Sequence, residues 1–429
     1  MSEKTMTEKT IAGDERTYEE AIRAYICAHV DDVLKKPRDF IHFPFIDPGS
    51  VYDGNVWDWD TYWSVYGLLG MMDCFSKEKQ NQILEHARGN VYNFLDHQLE
   101  DGYIPMMIEV ADWPEPYLNM RHKEGILMNM HKPFLCAQIC LISDYTGDYT
   151  WIEDKIGKLS KYLEYYRATY YMEDRGLYVW CDDIMIGMDN DPASFGRPKF
   201  STANIFLNSF LVNELRCMAQ ILHNCGAKGA SLYERQSEEL VEVIRRECWD
   251  ERDAFFYSVD VDIRTRAYDW FHQGLGVFWN TLPIKIRTWS GFIPLWAGFA
   301  TKEQAVALSA HFWDRKTFYS EFGPVTLSKD EKMFNLEATN NPSNWLGPIW
   351  LVANYIVFKG FLDYGYLEEA EAICRGSLRL LGEDLAKTGC MHEYYNPFTG
   401  EPIMNGGFIN WNILALNMAA ELRRKKAEE

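Results

Sequence analysis

Two neighbouring segments decide the fold class, ANIFLNSFLVNELRCMAQIL at residues 203–222 and ASLYERQSEELVEVIRRECW at residues 230–249. In both, apolar residues recur at intervals of three, four and seven positions, which is the spacing of one face of an α-helix. The same spacing recurs along most of the chain, so the sequence predicts helix after helix. Further helices are predicted at 18–34, 61–75, 79–99, 133–146, 150–171, 301–313, 347–364, 367–385 and 409–424, and two more within 264–296.

About twelve helices, in pairs of roughly 35 to 60 residues, predict an all-α protein with few strands. Only short β pieces are expected, near 176–181 and 255–261. Because neither a linker nor a shift in composition divides the chain, we expect a flexible tail at 1–15 and a single domain at 16–429. Twelve helices in one domain suit an (α/α)6 barrel, a toroid whose long loops form a funnel-shaped site at one end. An open helical solenoid would show more regular repeats and fewer long loops.

The composition excludes several classes of protein. The 429 residues carry a formal net charge of −20, which argues against a nucleic-acid partner. The ten cysteines form no CxxC pair, and the N-terminus lacks the apolar core of a signal peptide, so we expect a cytoplasmic protein with reduced thiols. The most apolar stretch, 349–358, is too short to span a membrane. A homo-oligomer is compatible with the sequence.

Aromatic residues make up 15% of the chain, with 15 Trp, 25 Tyr and 24 Phe, and many Trp lie near carboxylates. Sugar rings stack their C–H faces on aromatic rings, while their hydroxyl groups need carboxylates and amides. This composition is a first indication of a carbohydrate site. Five segments combine the two kinds of residue: VWDWDTYW at 56–63, DGYIPM at 101–106, WCDDIMIGMDNDP at 180–192, NPSNWLGPIW at 341–350 and HEYYNPFTGE at 392–401.

The aromatic residues of these segments are the candidates for binding a sugar. We expect Trp57, Trp59 and Asp60 to line the site, although an Asp near a helix start also caps the helix, and both interpretations stay open for Asp60. The segment that carries Tyr103 is, taken alone, an ordinary turn between helices. The further candidates for substrate binding are Tyr103, Trp180 and Trp345.

The acidic residues are the candidates for catalysis. Asp182, Asp183, Asp189 and Asp191 lie within ten residues, without the spacing of a calcium loop. Burial and like charges can raise the pKa of such a carboxyl group, as a general acid requires, and the residues alone leave open which Asp this is. Glu393 lies among aromatic residues and suits a general base. Two carboxyl groups that face a bound sugar are the machinery of glycoside hydrolysis.

Other chemistries lack their motifs. The chain contains no G-x-x-x-x-G-K-[ST] phosphate loop, no H-E-x-x-H or paired-Cys zinc pattern and no G-x-S-x-G elbow. We therefore expect neither a metal nor a cofactor.

Five motifs follow one another along the chain: WDWDTYW at 57–63, DGYIP at 101–105, GMDNDP at 187–192, NWLGPIW at 344–350 and HEYYNPFTGE at 392–401. Together they resemble glycoside hydrolase family 63 and its trehalase-like clan, above all the compact bacterial branch of mannosylglycerate and glucosylglycerate hydrolases. The resemblance implies an (α/α)6 barrel and an inverting hydrolase. It implies Asp189 as the general acid and Glu393 as the general base. It also implies that Trp57, Trp59, Asp60 and Trp345 wall the sugar subsite.

Two positions depart from the family pattern. Leu346 stands where the family usually has Arg, so the planar, charged guanidinium group is lost. Lys132 stands where the family usually has Gln, so a flexible ammonium group is gained. We expect Lys132 to bind substrate. A carboxylate or phosphate on the substrate could also meet Arg121, Arg197 or Lys199, although a solvated loop is the simpler interpretation of the last two.

The sequence therefore predicts an inverting α-glycosidase that acts on an α-glucoside or α-mannoside with a small aglycone. Its partner would be a small oligosaccharide or glycoside, with neither nucleic acid nor membrane. The first alternative is a sugar epimerase on the same barrel, with His272 and His392 as acid and base. The second is a sugar-binding protein without turnover. A glycoside phosphorylase would reveal itself by phosphate dependence, and a terpenoid cyclase would need an apolar cavity.

Overall fold

The computed structural model describes residues 3–109, 129–183, 186–263, 280–337 and 343–428. Twelve helices occur in these ranges. They are α1 (Glu3–Val33), α2 (Asp58–Leu69), α3 (Lys77–Asp96), α4 (Leu135–Thr146), α5 (Ile156–Tyr170), α6 (Ile205–Asn224), α7 (Ala230–Glu247), α8 (Ile293–Trp296), α9 (Lys302–Trp313), α10 (Leu351–Asp363), α11 (Leu367–Thr388) and α12 (Leu414–Glu428).

Alternate helices form a closed inner ring. Helices α2, α4, α6, α8, α10 and α12 each contact the next one, and α12 returns to α2. The other helices lie outside this ring, so that α7 packs along α6 and α11 packs along α10. This is the (α/α)6 barrel that the sequence predicts.

The distribution of apolar residues explains which helices lie inside. Every residue from Leu351 to Phe358 of α10 is buried, and a helix that is apolar on all sides must be covered on all sides. Helix α7 instead buries one face, which includes Tyr233, Leu240 and Ile244, and turns its charged residues to solvent. Inner and outer helices therefore differ in pattern as well as in position.

Short antiparallel strands connect the helices. They are β1 (Leu34–Lys35), β2 (Phe45–Ile46), β3 (Val56–Trp57), β4 (Met107–Ile108), β5 (Tyr171–Met172), β6 (Leu177–Tyr178), β7 (Thr202–Ala203), β8 (Trp249–Asp250), β9 (Phe255–Phe256), β10 (Val259–Asp260), β11 (Leu282–Pro283), β12 (Tyr319–Ser320), β13 (Gly323–Pro324), β14 (Ile349–Trp350), β15 (Tyr394–Tyr395) and β16 (Pro402–Met404). The β pieces expected near 176–181 and 255–261 are present as β6, β9 and β10.

Two of the small sheets lie at the entrances to inner helices. Strand β3 leads directly into α2 and pairs with β4, with Trp57 opposite Met107. Strand β14 leads directly into α10 and pairs with β15, with Trp350 opposite Tyr394, and β16 completes this sheet. The sheets thus bring distant loops to the N-terminal ends of inner helices.

Several helix boundaries differ from the prediction. Helix α1 begins at Glu3 rather than at residue 18. Helix α2 begins at Asp58 rather than at residue 61. Two helices were expected within 264–296, and residues 264–279 lie outside the described residues. The remainder holds a 3-10 helix at Trp289–Phe292 followed by the four-residue α8. No described helix is long and apolar enough to cross a membrane.

Candidate active site

A cavity of about 130 Å³ lies where β3 and β14 enter the inner helices. One water molecule needs only roughly 10–15 Å³ of such volume, so the cavity has room for a larger ligand. Its wall combines aromatic rings with carboxyl groups from segments that are distant in sequence. The lining residues are Tyr52, Trp57, Trp59, Asp60, Met106, Lys132, Gly187, Asp189, Ser343, Trp350, Glu393 and Trp411.

Two acidic residues of the first turn of α2 have different roles. The carboxylate of Asp58 is fully buried and accepts hydrogen bonds from the backbone N–H groups of Trp59 and Lys132, each at 2.7 Å. It also forms an ion pair with the Lys132 ammonium group at 2.7 Å. Asp58 therefore ties the start of α2 to the segment around residue 132. Asp60 instead faces the cavity.

The carboxyl group of Asp60 accepts a hydrogen bond from Asn410 Nδ2 at 2.6 Å. Burial raises the pKa of Asp60 to about 8; Lys132 opposes this rise, and the nearby Asp58 and Glu393 add to it. A protonated carboxyl group can both donate to and accept from a sugar hydroxyl group. The residue that precedes α2 is Trp57, whose side chain makes no capping hydrogen bond. Asp58 rather than Asp60 accepts from a backbone N–H group of the first turn, so capping does not explain Asp60.

Glu393 lies immediately before β15, and its backbone N–H donates to the Met404 carbonyl at 3.1 Å. Its Oε1 accepts from the Tyr52 hydroxyl group at 2.9 Å, and its Oε2 accepts from the Asn405 amide. Burial raises the pKa of Glu393 to about 7, the bonds from Asn405 and Tyr52 lower it, and Asp189 raises it. A carboxyl group with a pKa near 7 can exchange a proton near neutral pH.

The acidic loop 182–191 places Asp189 in the cavity wall. Asp182 forms an ion pair with Lys199 at 3.1 Å, and Asp183 accepts from the Gly196 backbone N–H at 2.6 Å. Neither of these two carboxylates lines the cavity.

Asp191 is buried outside the cavity wall. Its Oδ2 accepts from Ser194 Oγ at 3.0 Å and from Asn204 Nδ2 at 3.1 Å. Burial raises the pKa of Asp191 to about 6, although these hydrogen bonds lower it. The structure thus separates Asp189 from the three other acids that the sequence left as alternatives.

The backbone before Asp189 requires a glycine. Gly187 has a φ of 90°, and a Cβ there would lie 3.0 Å from Lys132 Cε and 3.1 Å from the Trp59 ring. A side chain would be strained by the backbone and would crowd the cavity wall. The close approach of this loop to Trp59 and Lys132 therefore depends on glycine.

Of the two tryptophans of the fourth motif, Trp350 rather than the expected Trp345 lines the cavity. The Trp345 ring lies behind the Trp350 ring, and the two rings stack with their centroids 4.0 Å apart. Trp350 also stacks on Tyr394 at 4.7 Å. Asn190 Oδ1 accepts from the Trp345 backbone N–H at 2.7 Å, which links the acidic loop to this stack. Trp345 thus supports the wall rather than lining it.

Tyr103 and Trp180, also expected in the sugar site, are buried outside the cavity wall. The Tyr103 hydroxyl group donates to the Asn129 carbonyl at 3.4 Å, and the Trp180 backbone donates to Thr202 at 3.3 Å. Both rings pack in the core because their segments turn these side chains away from the cavity. Met106, from the same segment as Tyr103, is the residue of that segment that lines the cavity.

Six of the nine predicted site residues line the cavity, and the wall also contains residues that the sequence did not single out. Trp350 was within a quoted motif, and Trp411 has Asn on both sides in the sequence N-W-N, a signal that could have been used. Tyr52 is a single aromatic residue in a loop, and no pattern marks it. The residues that were missed are Tyr52, Met106, Gly187, Ser343, Trp350 and Trp411.

The cationic candidates other than Lys132 lie elsewhere. Arg197 forms an ion pair with Asp260, and Lys199 forms one with Asp182. Arg121 lies outside the described residues. Among the described residues, no group of three or more His, Cys, Asp or Glu side chains is arranged to hold a metal ion.

Of the two histidines expected for an epimerase, only His392 lies among the described residues. His392 does not line the cavity, and its Nδ1 lies 2.9 Å from Asp384 Oδ2. His272 lies outside the described residues.

Residues 53–411 match the family described as the mannosylglycerate hydrolase MGH1-like glycoside hydrolase domain. The chain belongs to this family. It is 31% identical to the mannosylglycerate hydrolase MGH1 of Selaginella moellendorffii over 163 residues, which are 38% of this chain and 30% of that relative. The chain thus aligns with less than a third of the length of this curated relative.

Solved structures with the same fold include the family 63 mannosylglycerate hydrolase of Thermus thermophilus, in complex with Tris and D-glycerate. Its TM-score is 0.68 at 18% identity, over 93% of this chain and all of that one. The neutral trehalase Nth1 of Saccharomyces cerevisiae has a TM-score of 0.58 at 16% identity, over 90% of this chain and 75% of that one. At these identities the likeness to solved structures shows the fold, which confirms the predicted barrel. The match to the family over residues 53–411 confirms the predicted family.

Proposed function

We propose that this chain is an inverting α-glycosidase that hydrolyses an α-glucoside or α-mannoside with a small aglycone. Asp189 would be the general acid and Glu393 the general base. The observation that carries this proposal is that both carboxyl groups belong to the wall of one cavity lined with Trp. A pair of carboxyl groups beside aromatic rings is what hydrolysis of a glycosidic bond requires.

In the proposed reaction, the sugar lies against Trp57, Trp59 and Trp350, with Asp60 at its hydroxyl groups. Asp189 donates its proton to the glycosidic oxygen, and the bond from this oxygen to the anomeric carbon breaks. Glu393 removes a proton from a water molecule on the opposite ring face, and the water oxygen bonds to the anomeric carbon with inversion. This geometry needs carboxyl groups about 6.5–9.5 Å apart, so that a water molecule fits beside Glu393.

Hydrogen bonding supports the assignment of the base. Both oxygens of Glu393 accept hydrogen bonds from neutral donors, which favours the carboxylate over the acid. Asp189 raises the pKa of Glu393 through its charge, so the two groups are close enough for the ionisation of one to disfavour that of the other. Such coupled carboxyl groups can share one proton, as an acid and base pair must at the start of the reaction.

The aglycone is a further part of the proposal. The relatives named mannosylglycerate hydrolase make mannosylglycerate the first substrate to test. Lys132 lies in the cavity wall, but Asp58 already neutralises its ammonium group. A neutral aglycone such as glycerol or a second sugar is therefore the alternative to glycerate.

The test is a ¹H-NMR hydrolysis assay on α-glucosides and α-mannosides of glycerate, glycerol and a second sugar, with and without phosphate. We expect the β-anomer to appear first, without phosphate dependence. Asp189→Asn and Glu393→Gln should each reduce turnover by more than roughly a thousandfold and leave the fold intact. Asp183→Asn, in the same loop but outside the cavity, and the exposed Glu401→Gln are the matched controls and should stay active.

Near-normal turnover in either cavity variant would refute that residue's role. Appearance of the α-anomer first would refute inversion. A folded protein that shows shifts in Trp fluorescence with sugars but turns over none of them would support the sugar-binding protein instead.

A further inference from the structure

The two oxygens of Glu393 are held by donors from two different loops. Tyr52, in the loop 47–54, donates to Oε1 at 2.9 Å, and Asn405, in the loop after β16, donates to Oε2. We propose that Tyr52 and Asn405 are positioning residues that clamp Glu393 as a carboxylate and orient it toward the cavity. This inference rests on the proposed function, in which Glu393 is the general base.

The loop that carries Tyr52 is fixed by a buried acid. Asp47 accepts from the backbone N–H groups of Gly49 at 3.0 Å and Gly54 at 2.8 Å, which closes the loop around its carboxylate. The Lys35 ammonium group lies 3.6 Å from the same carboxylate. Because both ends of the loop are bonded to one side chain, the Tyr52 hydroxyl group has a defined position over Glu393.

The loop that carries Asn405 is bonded to the first loop. Ser50 Oγ donates to the Gly406 carbonyl at 3.0 Å, and the backbones of Gly49 and Phe408 pair as an isolated β-bridge. Ser50 has a φ of 56°, which is unfavourable for a serine, whereas Asn405 has a φ of 52°, which asparagine tolerates better than most residues. Such backbone strain persists only where surrounding contacts hold it, and it is concentrated at functional sites.

The two donors oppose the effect of burial. Burial raises the pKa of Glu393, while hydrogen bonds from Asn405 and Tyr52 lower it. The other titratable groups that face Glu393 in the described structure are Asp60, Asp189 and Tyr394. None of these is a cation, and Lys132, the cation of the cavity wall, is paired with Asp58, so the neutral donors are what favours the carboxylate form of Glu393.

Removal of one donor should therefore raise the pKa of Glu393. A general base acts only when it is deprotonated, so the acid limb of the pH profile of kcat/KM should move to higher pH. Tyr52→Phe should move it by about one pH unit. Asn405→Asp tolerates the positive φ and replaces a donor by a second carboxylate, so it should move the limb by about two units. KM should change little for Asn405→Asp, since Asn405 is not part of the cavity wall, whereas Tyr52 lines it.

The experiment measures the pH profile for the wild type and both variants, with two matched controls. Tyr257→Phe removes a hydroxyl group that donates to Asp253 at 3.0 Å, away from the cavity, and Asn224→Asp adds a charge at an exposed helix end. Neither control should move the acid limb. A second readout is Trp fluorescence measured against pH. A transition that the wild type shows and Glu393→Gln lacks reports the pKa of Glu393, and this measurement needs no turnover.

The outcomes separate the clamp from the proposed function. Upward shifts in both readouts for both variants support the clamp. If Glu393→Gln is inactive but Tyr52→Phe and Asn405→Asp leave the acid limb and the fluorescence transition in place, the clamp is overturned and the base assignment stands. If Glu393→Gln keeps its turnover, the proposed function fails, and the fluorescence transition alone then supports or overturns the clamp.

Discussion

The start of helix α2 and the loop 182–191 both carry several acidic residues, of which one in each region faces the cavity, but they hold the other acids by different means. In α2, Asp58 is fully buried against an ammonium group, and Asp60 two residues later faces the cavity. In the loop, Asp191 is buried among neutral donors, and Asp189 faces the cavity. In each region, one buried acid therefore ties its segment to the rest of the protein, and another acid faces the cavity.

The largest expected effect concerns the buried ion pair of α2. Asp58→Asn leaves the Lys132 ammonium group buried without its countercharge, so we expect the free energy of unfolding to fall by about 3–5 kcal/mol. Asp60→Asn should change stability much less and should instead reduce turnover, because Asp60 faces the cavity. Urea unfolding followed by Trp fluorescence measures the first effect, and the NMR assay measures the second.

The control for this prediction removes both charges. The double variant with Asp58→Asn and Lys132→Gln should recover part of the stability that Asp58→Asn loses. Equal stability of Asp58→Asn and the wild type would show that the ion pair does not hold α2 in place.

The second prediction concerns the buried acid of the loop. The pKa of Asp191 is about 6 in the folded chain, above its ordinary value of 3.8. The folded state therefore binds more protons than the unfolded state between these values, and stability from this group is lost as the pH rises from about 4 to 6. Asp191→Asn should remove this part of the pH dependence, about 3 kcal/mol.

This slope is measured by urea unfolding at several pH values between 4 and 7. Asp183→Asn, with a half-buried carboxylate in the same loop, is the matched comparison and should leave most of the slope in place. An unchanged slope in Asp191→Asn would mean that other buried acids dominate the pH dependence.

The third and smallest effect concerns the contact between the two regions. Gly187→Ala adds a Cβ at positive φ and places it against Lys132 and Trp59, so we expect a loss of about 1–2 kcal/mol and reduced turnover. Gly196→Ala has the same kind of backbone strain at a φ of 70° but no atom within 4 Å. If both variants lose stability and only Gly187→Ala loses turnover, the close approach matters for the site. Equal turnover in both would show that it does not.

The fold was largely predictable because periodicity is a local property. The helix pair at 203–249 and the other periodic segments indicate helices, and their number indicates a barrel. The first turn of α2 was missed because Trp and Asp at 57–60 follow no helical apolar pattern, and tertiary contacts through Asp58 define where the helix begins. Tertiary contacts likewise stabilise the short α8, which no propensity alone would support.

The candidate site was predictable where residues cluster in sequence. Trp57, Trp59 and Asp60 stand together in one motif, and their types indicate a sugar. Tyr52 and Asn405 carry no such signal, because each is a single residue whose role comes from a partner that only the fold brings near. The presence of Trp350 in the wall instead of the predicted Trp345 has the same cause, since the stacked pair leaves only one of the two rings at the cavity surface.

By itself, the sequence determined the helical class, the acidic and aromatic character of the site and the motifs that place the chain in its family. These depend on residue types and on spacing over a few turns. Only the tertiary structure decided that Asp189, among four neighbouring acids, reaches the cavity, and which donors hold Glu393. Burial and hydrogen bonding are set by residues that the closed ring brings together, and a carboxyl group acquires its role from those neighbours.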